Sequence, residues 1–323
     1  MFIEIVLIIV GLALVVFGAD WLVDGASAVA RRSGISEFVI GLTIVGFGTS
    51  CPELVVSVTG AIQGNGDIAV GNVLGSNIFN TLLILGLTAA IRPVAITDSN
   101  RRRDIPVVLL VTLLAVALGM NKTIFGLGDA DCLDRVEGIV FLLLFAAYMY
   151  MCFKCTPKDE FDSNGADSNK EGLGLWAGLG LSLVGIAALV VGGRLFVDNS
   201  VLVAHRLNLS DKFIAITLLA CGTSLPELAT CIVAAVKGRQ QLALGNVLGS
   251  NVFNVLLILG CSACISPISF ASINIVDLSV FAASSLLLLL SASLYDKKNI
   301  NRIEGVIFLL LFAAYYVWLF INH

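Results

Sequence analysis

The chain has 323 residues, of which 58% are hydrophobic and only 13% charged, with a formal net charge of −4 and a mean hydropathy of +0.98. Soluble domains carry about 45–50% apolar and about 25% charged residues, so this composition excludes the ordinary soluble class. The small negative charge belongs to the loops and says little about soluble partners.

Ten apolar segments follow one another, each close to the roughly 20 residues that a bilayer crossing needs. The first, 3–29, opens MFIEIVLIIV; with acidic Glu4 and no basic region before it, this segment is expected to stay as a helix instead of being removed as a signal. The second, 37–62, contains GTSCPE at 48–53, and the third, 67–91, contains GNVLGSNIFNTLLILG. Segments at 105–120 and 134–153 close the first half. A polar stretch, TPKDEFDSNGADSNKE at 156–171, reads as a flexible cytosolic connection too short for a domain. The second half is predicted to span at 173–204, 211–236, 241–265, 273–293 and 302–321.

The halves are copies. A shift of 174 residues lays GTSCPEL on GTSLPEL, and GNVLGSNIFNTLLILG on GNVLGSNVFNVLLILG with 14 of 16 positions identical. A shift of 167 lays RVEGIVFLLLFAAY on RIEGVIFLLLFAAY. Five spans is an odd number, so the second copy must enter the membrane the other way round. With the N-terminus outside, the inner side carries 14 Lys and Arg residues against 4 on the outer side, the asymmetry expected of inner loops. The fold expected is therefore an all-α integral membrane protein of ten transmembrane helices, arranged as two inverted-topology five-helix repeats. Its parts are 1–155, the linker 156–171 and 172–323. Inverted repeats point to a transporter with its site at the repeat interface near the bilayer midplane.

The repeated motif has the chemistry for such a site. Pro52 lacks an N–H and leaves the carbonyl of Gly48 without its helical partner, while Gly46 and Gly48 loosen the chain just before it. Unsatisfied backbone is tolerated in the membrane only where protein or a water-filled cavity satisfies it. An acid at mid-membrane costs at least about 2.5–3.5 kcal/mol and marks an ion or proton path by default. Glu53 and Glu227 are two such acids, each beside a proline break. Hard cations such as Ca²⁺ take 6–8 oxygens from carboxylates, carbonyls and water. Asn72, Ser76 and Asn80, spaced i, i+4, i+8, add a polar helix stripe that Asn246, Ser250 and Asn254 repeat. A kink that only shapes packing is the bland alternative for the prolines. For Asn72, Asn77 and their copies it is interhelical hydrogen bonding, and for Gly71 and Gly75 close helix packing.

GTSxPE followed by GNVLGSNxFN, in two copies, resembles the alpha repeats of the sodium/calcium exchangers of the calcium/cation antiporter superfamily, in their prokaryotic-type form. The resemblance extends over the whole ten-helix plan. It implies an antiporter exchanging Ca²⁺ for Na⁺ by alternating access, three Na⁺ for each Ca²⁺, in the cell membrane. Calcium would be bound by Glu53 and Glu227 with the backbone carbonyls of Thr49 and Thr223. Sodium would share these residues and add Ser50, Ser76, Ser224 and Ser250 together with backbone oxygens of Gly46 and Ala220. Asn80 and Asn254 complete the central polar site. Asn254 departs from the pattern, since well-studied members often carry Asp there, which weakens any inference of potassium co-transport or of proton coupling through a third acid. A cation/proton antiporter of the same superfamily is the alternative. The large cytosolic regulatory domains of eukaryotic exchangers have no counterpart in this sequence. The resemblance also implies that the Gly-rich first and sixth helices can slide as a gating pair, while packing against smooth glycine surfaces explains the same composition.

An enzyme is not expected. The two histidines, His205 and His323, form no H-E-x-x-H, and the motif serines lack a histidine base. Two C-x-x-C pairs, Cys152/Cys155 and Cys261/Cys264, fall at opposite membrane faces in this topology and cannot build one four-cysteine site, so they read as packing thiols. No cofactor, nucleic acid or protein partner is implied; the partners are the two transported ions and the lipid bilayer.

Overall fold

A computed structural model describes residues 2–126, 130–155, 173–206, 222–271, 273–293 and 299–322. In chain order its main helices are α1 (Phe2–Ser33), α2 (Glu37–Thr49), α3 (Cys51–Ile62), α4 (Gly66–Ile91), α5 (Ile105–Gly119), α6 (Arg135–Lys154), α7 (Leu175–Arg206), α8 (Leu225–Val236), α9 (Gln240–Ile265), α10 (Ile275–Ser293) and α11 (Arg302–Asn322). Among the described residues seven of these are long and apolar enough to cross a membrane, namely α1, α4, α6, α7, α9, α10 and α11. The pair α2 and α3, bent by 48°, makes an eighth when taken as one span. The chain is a multi-pass helical membrane protein. The linker 156–171 and the first part of the expected span 211–236 lie outside the described residues.

Two short ladders, not expected from the sequence, join the loops. Strand β1 (Val94–Ala95) pairs antiparallel with β4 (Asn299–Ile300), and β2 (Cys132–Leu133) with β3 (Ile268–Ser269). Each ladder links a loop of the first half to a loop of the second.

Polarity runs inside out relative to a soluble protein. Large apolar side chains such as Leu143, Leu183, Ile303 and Leu310 are exposed, whereas Glu53, Glu227, Asn80, Asn246 and Asn254 are buried to 1% or less. Lipid is as apolar as leucine, so burying leucine gains little there, and the interior is filled instead by small residues and paired polar groups. The most enclosed spans are α4 and α9, with 72% and 78% of their apolar windows buried, against 11% for α11. These two helices carry the repeated Asn/Ser stripe.

The longest helices, α1 and α7, pack on each other along a glycine seam. Gly11, Gly18 and Gly25 of α1 meet Gly192, Gly185 and Gly178 of α7, in antiparallel order and at seven-residue spacing on both helices. A Cβ at Gly11, Gly18 or Gly25 would stand 2.8, 2.9 or 2.6 Å from the carbonyl oxygen of its partner glycine. A seven-residue repeat keeps one stripe facing one partner along the whole helix. The pair is thereby zipped into one body. It is tied to the remaining helices by the ion pairs of Lys237, which reaches Asp20 and Asp24, each at 2.7 Å. Arg206 bonds Glu4 at 2.6 Å within the pair. Asp20, part-way along α1, thus meets a cationic partner.

Gly185→Leu is expected to overpack this seam, since even its Cβ would lie 2.7 Å from backbone atoms of Gly18 and Leu22. The cost should be about 1–3 kcal/mol, seen as a lower thermal midpoint in detergent. Gly180→Ala, on the exposed side of the same helix, should leave that midpoint unchanged.

Candidate functional site

Both copies of the GTSxPE motif break their helix at the serine. Ser50 has φ −83° and ψ 5°, and Ser224 has φ −87° and ψ 8°, values of the bridge region between helix and strand. New helices then start at Cys51 and Leu225, with Pro52 and Pro226 in their first turn, where a missing N–H costs nothing. The serines occupy the helix N-cap position, and the spacing S-x-x-E is that of a capping box. Neither hydroxyl caps its own helix.

Each hydroxyl instead crosses to the other half. Ser50 Oγ donates to Glu227 Oε1 at 2.9 Å, with Ser250 Oγ at 3.0 Å. Ser224 Oγ donates to Glu53 Oε1 at 3.2 Å, with Ser76 Oγ at 3.3 Å. The six side chains thus form a reciprocal cluster between the two motif copies. Ser50, Ser76, Ser224 and Ser250 are all buried to 3% or less.

Four buried oxygens of the two acids and of Asn80 and Asn254, the last residues of the repeated polar stripe, have no hydrogen-bond partner. They are Oε2 of Glu53, Oε2 of Glu227, Oδ1 of Asn80 and Oδ1 of Asn254. Buried acceptors without donors are rare and call for an explanation. An ionised carboxylate in a dry site is stable only beside a counter-charge. Among the described residues no cationic side chain is hydrogen-bonded to these four acceptors, and carboxylate and amide oxygens are the ligands a hard cation takes.

The remaining candidate residues surround this set. Thr49 donates its hydroxyl to Val45 O at 3.0 Å and to Asn246 Oδ1 at 3.1 Å, which holds its peptide next to Ser50. Gly46 O accepts from Ser50 N at 3.1 Å, so the helix ladder runs up to the break. Thr223 stands in the corresponding place next to Ser224, and Ala220 lies outside the described residues. Asn72 Nδ2 donates to Glu53 O at 3.2 Å and to Ser57 Oγ at 3.0 Å. Its copy Asn246 donates to Cys231 Sγ at 3.3 Å, Cys231 being the counterpart of Ser57. Asn72 and Asn246 therefore brace the broken helices from the side.

Two features escaped the sequence reading, and one further contact bears out the interhelical hydrogen bonding it offered for Asn77 and its copy. First, Gly41–Val45, Phe79–Ile84 and Phe253–Leu259 are π-helical; such widened turns favour functional positions, and two of them carry Asn80 and Asn254. Second, Thr81, one of the two positions at which the long motif copies differ, accepts from Asn251 Nδ2 at 2.9 Å. The expected contact is that of Asn77 and Asn251, which knit α4 to α9: Asn77 Nδ2 donates to Asn251 O at 3.1 Å, and Asn254 Nδ2 to Asn77 Oδ1 at 2.8 Å. The mismatch between copies was the available signal for Thr81. Aromatic rings flank the cluster, with Phe253 against Phe47 at 5.9 Å and against Phe145 at 4.9 Å, and Phe79 against Phe312 at 5.6 Å.

Residues 3–154 and 177–321 each match the family described as sodium/calcium exchanger protein. Sodium/calcium exchanger MaX1 of Methanosarcina acetivorans is 33% identical over 349 aligned positions, covering 98% of this chain and 99% of that protein. Inner membrane protein YrbG of Escherichia coli is 39% identical over 274 positions, covering 81% of this chain and 79% of its own length. A structure of the sodium-calcium exchanger NCX_Mj, soaked with Na⁺ and Ca²⁺, superimposes with a TM-score of 0.82 at 33% identity over 97% of both chains.

Asn77→Ala is expected to strand the carbonyl of Asn251 and the amide of Asn254 in the core. Each unsatisfied group costs about 1–3 kcal/mol, so thermal unfolding in detergent should shift down clearly. Cys231→Ser should be tolerated in the same assay, because the first copy already places Ser57 against Asn72 at 3.0 Å.

Proposed function

The chain belongs to the sodium/calcium exchanger protein family, and we propose that it exchanges Ca²⁺ for Na⁺ across the cell membrane through the cluster around Glu53 and Glu227. The observation that carries this reading is the set of four buried, unpartnered oxygens on Glu53, Glu227, Asn80 and Asn254. Calcium is taken to be held by both carboxylates and by the backbone carbonyls of Thr49 and Thr223. Sodium ions share the carboxylates and add the hydroxyls of Ser50, Ser76, Ser224 and Ser250 with backbone oxygens of Gly46 and Ala220. The hydroxyl bonds Ser50–Glu227 and Ser224–Glu53 then form part of the exchange chemistry, because each hydroxyl oxygen keeps lone pairs for a cation while its proton rests on the carboxylate.

Ten crossings in two inverted repeats, 1–155 and 172–323, with the N-terminus outside and the linker 156–171 cytosolic, account for several contacts together. On that path β1 and β4 share the inner face, and β2 and β3 the outer face, which supports the reading since each pair is hydrogen-bonded. The ion pairs Arg239–Glu37 at 2.9 Å and Arg206–Glu4 at 2.6 Å likewise join residues of one face. Alternating access needs a body that moves against a fixed site. The zipped pair α1 and α7 is suited to be that body.

Two carboxylates supply a charge of −2, which one Ca²⁺ or two Na⁺ neutralise. A third Na⁺ held by hydroxyls and carbonyls would make the cycle move one net positive charge, worth about 2.3 kcal/mol per 100 mV. With Asn80 and Asn254 both neutral, no third acid in the cluster is available to cancel that charge.

Glu53→Gln and Glu227→Gln should each reduce sodium-driven uptake of labelled calcium into proteoliposomes at least tenfold while leaving folding intact. Ser76→Ala, which keeps both charges, should raise the sodium requirement more than it weakens calcium uptake. Flux at the wild-type level in either Gln variant would remove that glutamate from the site, and uptake driven by a pH gradient instead of a sodium gradient would replace sodium with protons.

A potassium-diffusion potential imposed on the same vesicles, at fixed sodium and calcium gradients, should shift the calcium distribution. An equilibrium that ignores voltage would mean an electroneutral, two-for-one exchange.

A further inference from the structure

The copies of the site are not equivalent, and the difference traces to one hydroxyl. Asn254 is held: its Nδ2 donates to Asn77 Oδ1 at 2.8 Å, while Asn77 Nδ2 is fixed on the carbonyl of Asn251 at 3.1 Å. Under the 174-residue shift the mirror arrangement would have Asn251 Nδ2 on the carbonyl of Asn77, and Asn251 Oδ1 accepting from Asn80. Neither bond forms. Asn251 Nδ2 is drawn to Thr81 Oγ1 at 2.9 Å, and Asn251 Oδ1 is left buried and without a partner. Thr81 is fully buried, and its counterpart is Val255, also fully buried, which has no hydroxyl to draw Asn77 away.

We propose that Thr81 is a positioning residue that sets the sodium/calcium preference of the site by releasing Asn80 from the asparagine scaffold while Asn254 stays fixed. The proposal rests on the exchange reading above and deepens it. Asn254 then presents an amide oxygen already aimed, whereas Asn80 must be ordered each time an ion binds. Ordering a ligand costs conformational freedom that a fixed ligand has already lost. The attraction between an ion and an aimed amide dipole scales with the ion's charge, so a second fixed amide favours Ca²⁺ over Na⁺.

The test uses the purified full chain in detergent. Thermal stabilisation is titrated with CaCl₂ and with NaCl, and saturating calcium flux is measured in proteoliposomes. Thr81→Val, which gives the first copy the residue of the second, should free Asn251 to hold Asn80. It should lower the calcium midpoint relative to the sodium midpoint threefold or more, with saturating flux within twofold of wild type. Val255→Thr adds a hydroxyl that competes for Asn77 and should move the ratio the opposite way, so it provides the test even where Thr81→Val folds poorly. Thr81→Ser, which keeps the hydroxyl, should match wild type. An unchanged or reversed ratio in Thr81→Val, or a Thr81→Ser variant that behaves like Thr81→Val, would overturn the proposal. A wild type stabilised by neither ion would overturn the exchange reading itself.

Discussion

The interaction on which the rest of the structure depends is the exchange of hydroxyl bonds between halves, Ser50 to Glu227 and Ser224 to Glu53. A serine at a helix N-cap normally satisfies its own first turn. Here both serines give that up, and each carboxylate receives its donor from the opposite repeat. Neither half contains a complete site. The broken helices must therefore meet at the centre of the molecule, and α4 and α9 must cross beside them to bring Ser76 and Ser250 within 3.3 Å and 3.0 Å of the same hydroxyls.

The surrounding solvent explains the rest of the architecture. In lipid there is no gain from sequestering leucine, so what can hold the helices together is close backbone approach and polar pairing. Both are present in separate places. The α1–α7 seam is built from glycine against glycine, and contact between backbones is possible only because no side chain intervenes. The α4–α9 crossing is built from amides, with Asn254 donating to Asn77, Asn77 to the backbone carbonyl of Asn251, and Asn251 to Thr81. On the far side of α9, Gly245 and Gly249 let α2 approach until a Cβ at either would lie 2.2 or 2.5 Å from the carbonyls of Phe38 or Leu42.

Charge at the centre is sparing. Each motif copy supplies one acid, and the positions that could have carried more, Asn80 and Asn254, are amides. Amide oxygens can ligate a cation without adding to the charge that must be neutralised when the site changes its ion. Among the described residues Glu53 and Glu227 are then the acids of the cluster, and few buried charges limit the desolvation penalty of a dry interior.

The sequence by itself determined the membrane class, the duplication and the identity of the acids. These are properties of composition and of local spacing: long apolar segments can exist only in lipid, and an acid within one is informative wherever it occurs. The family was legible for the same reason, since GTSxPE and GNVLGSNxFN are contiguous stretches. The sequence also read the Asn/Ser stripe, because residues at i and i+4 share a helix face whatever packs against it. Only the tertiary structure decided which partner each group takes. The S-x-x-E spacing reads locally as a capping box, yet the serines donate across the molecule, since the acid of the other repeat supplies an acceptor where the local turn offers only N–H donors. The π-helical turns at Asn80 and Asn254, the two loop ladders and the diversion of Asn251 to Thr81 likewise follow from which helix lies opposite. One chain's local pattern carries no record of that, because pairing across 170 residues is settled by the packing of two copies against each other.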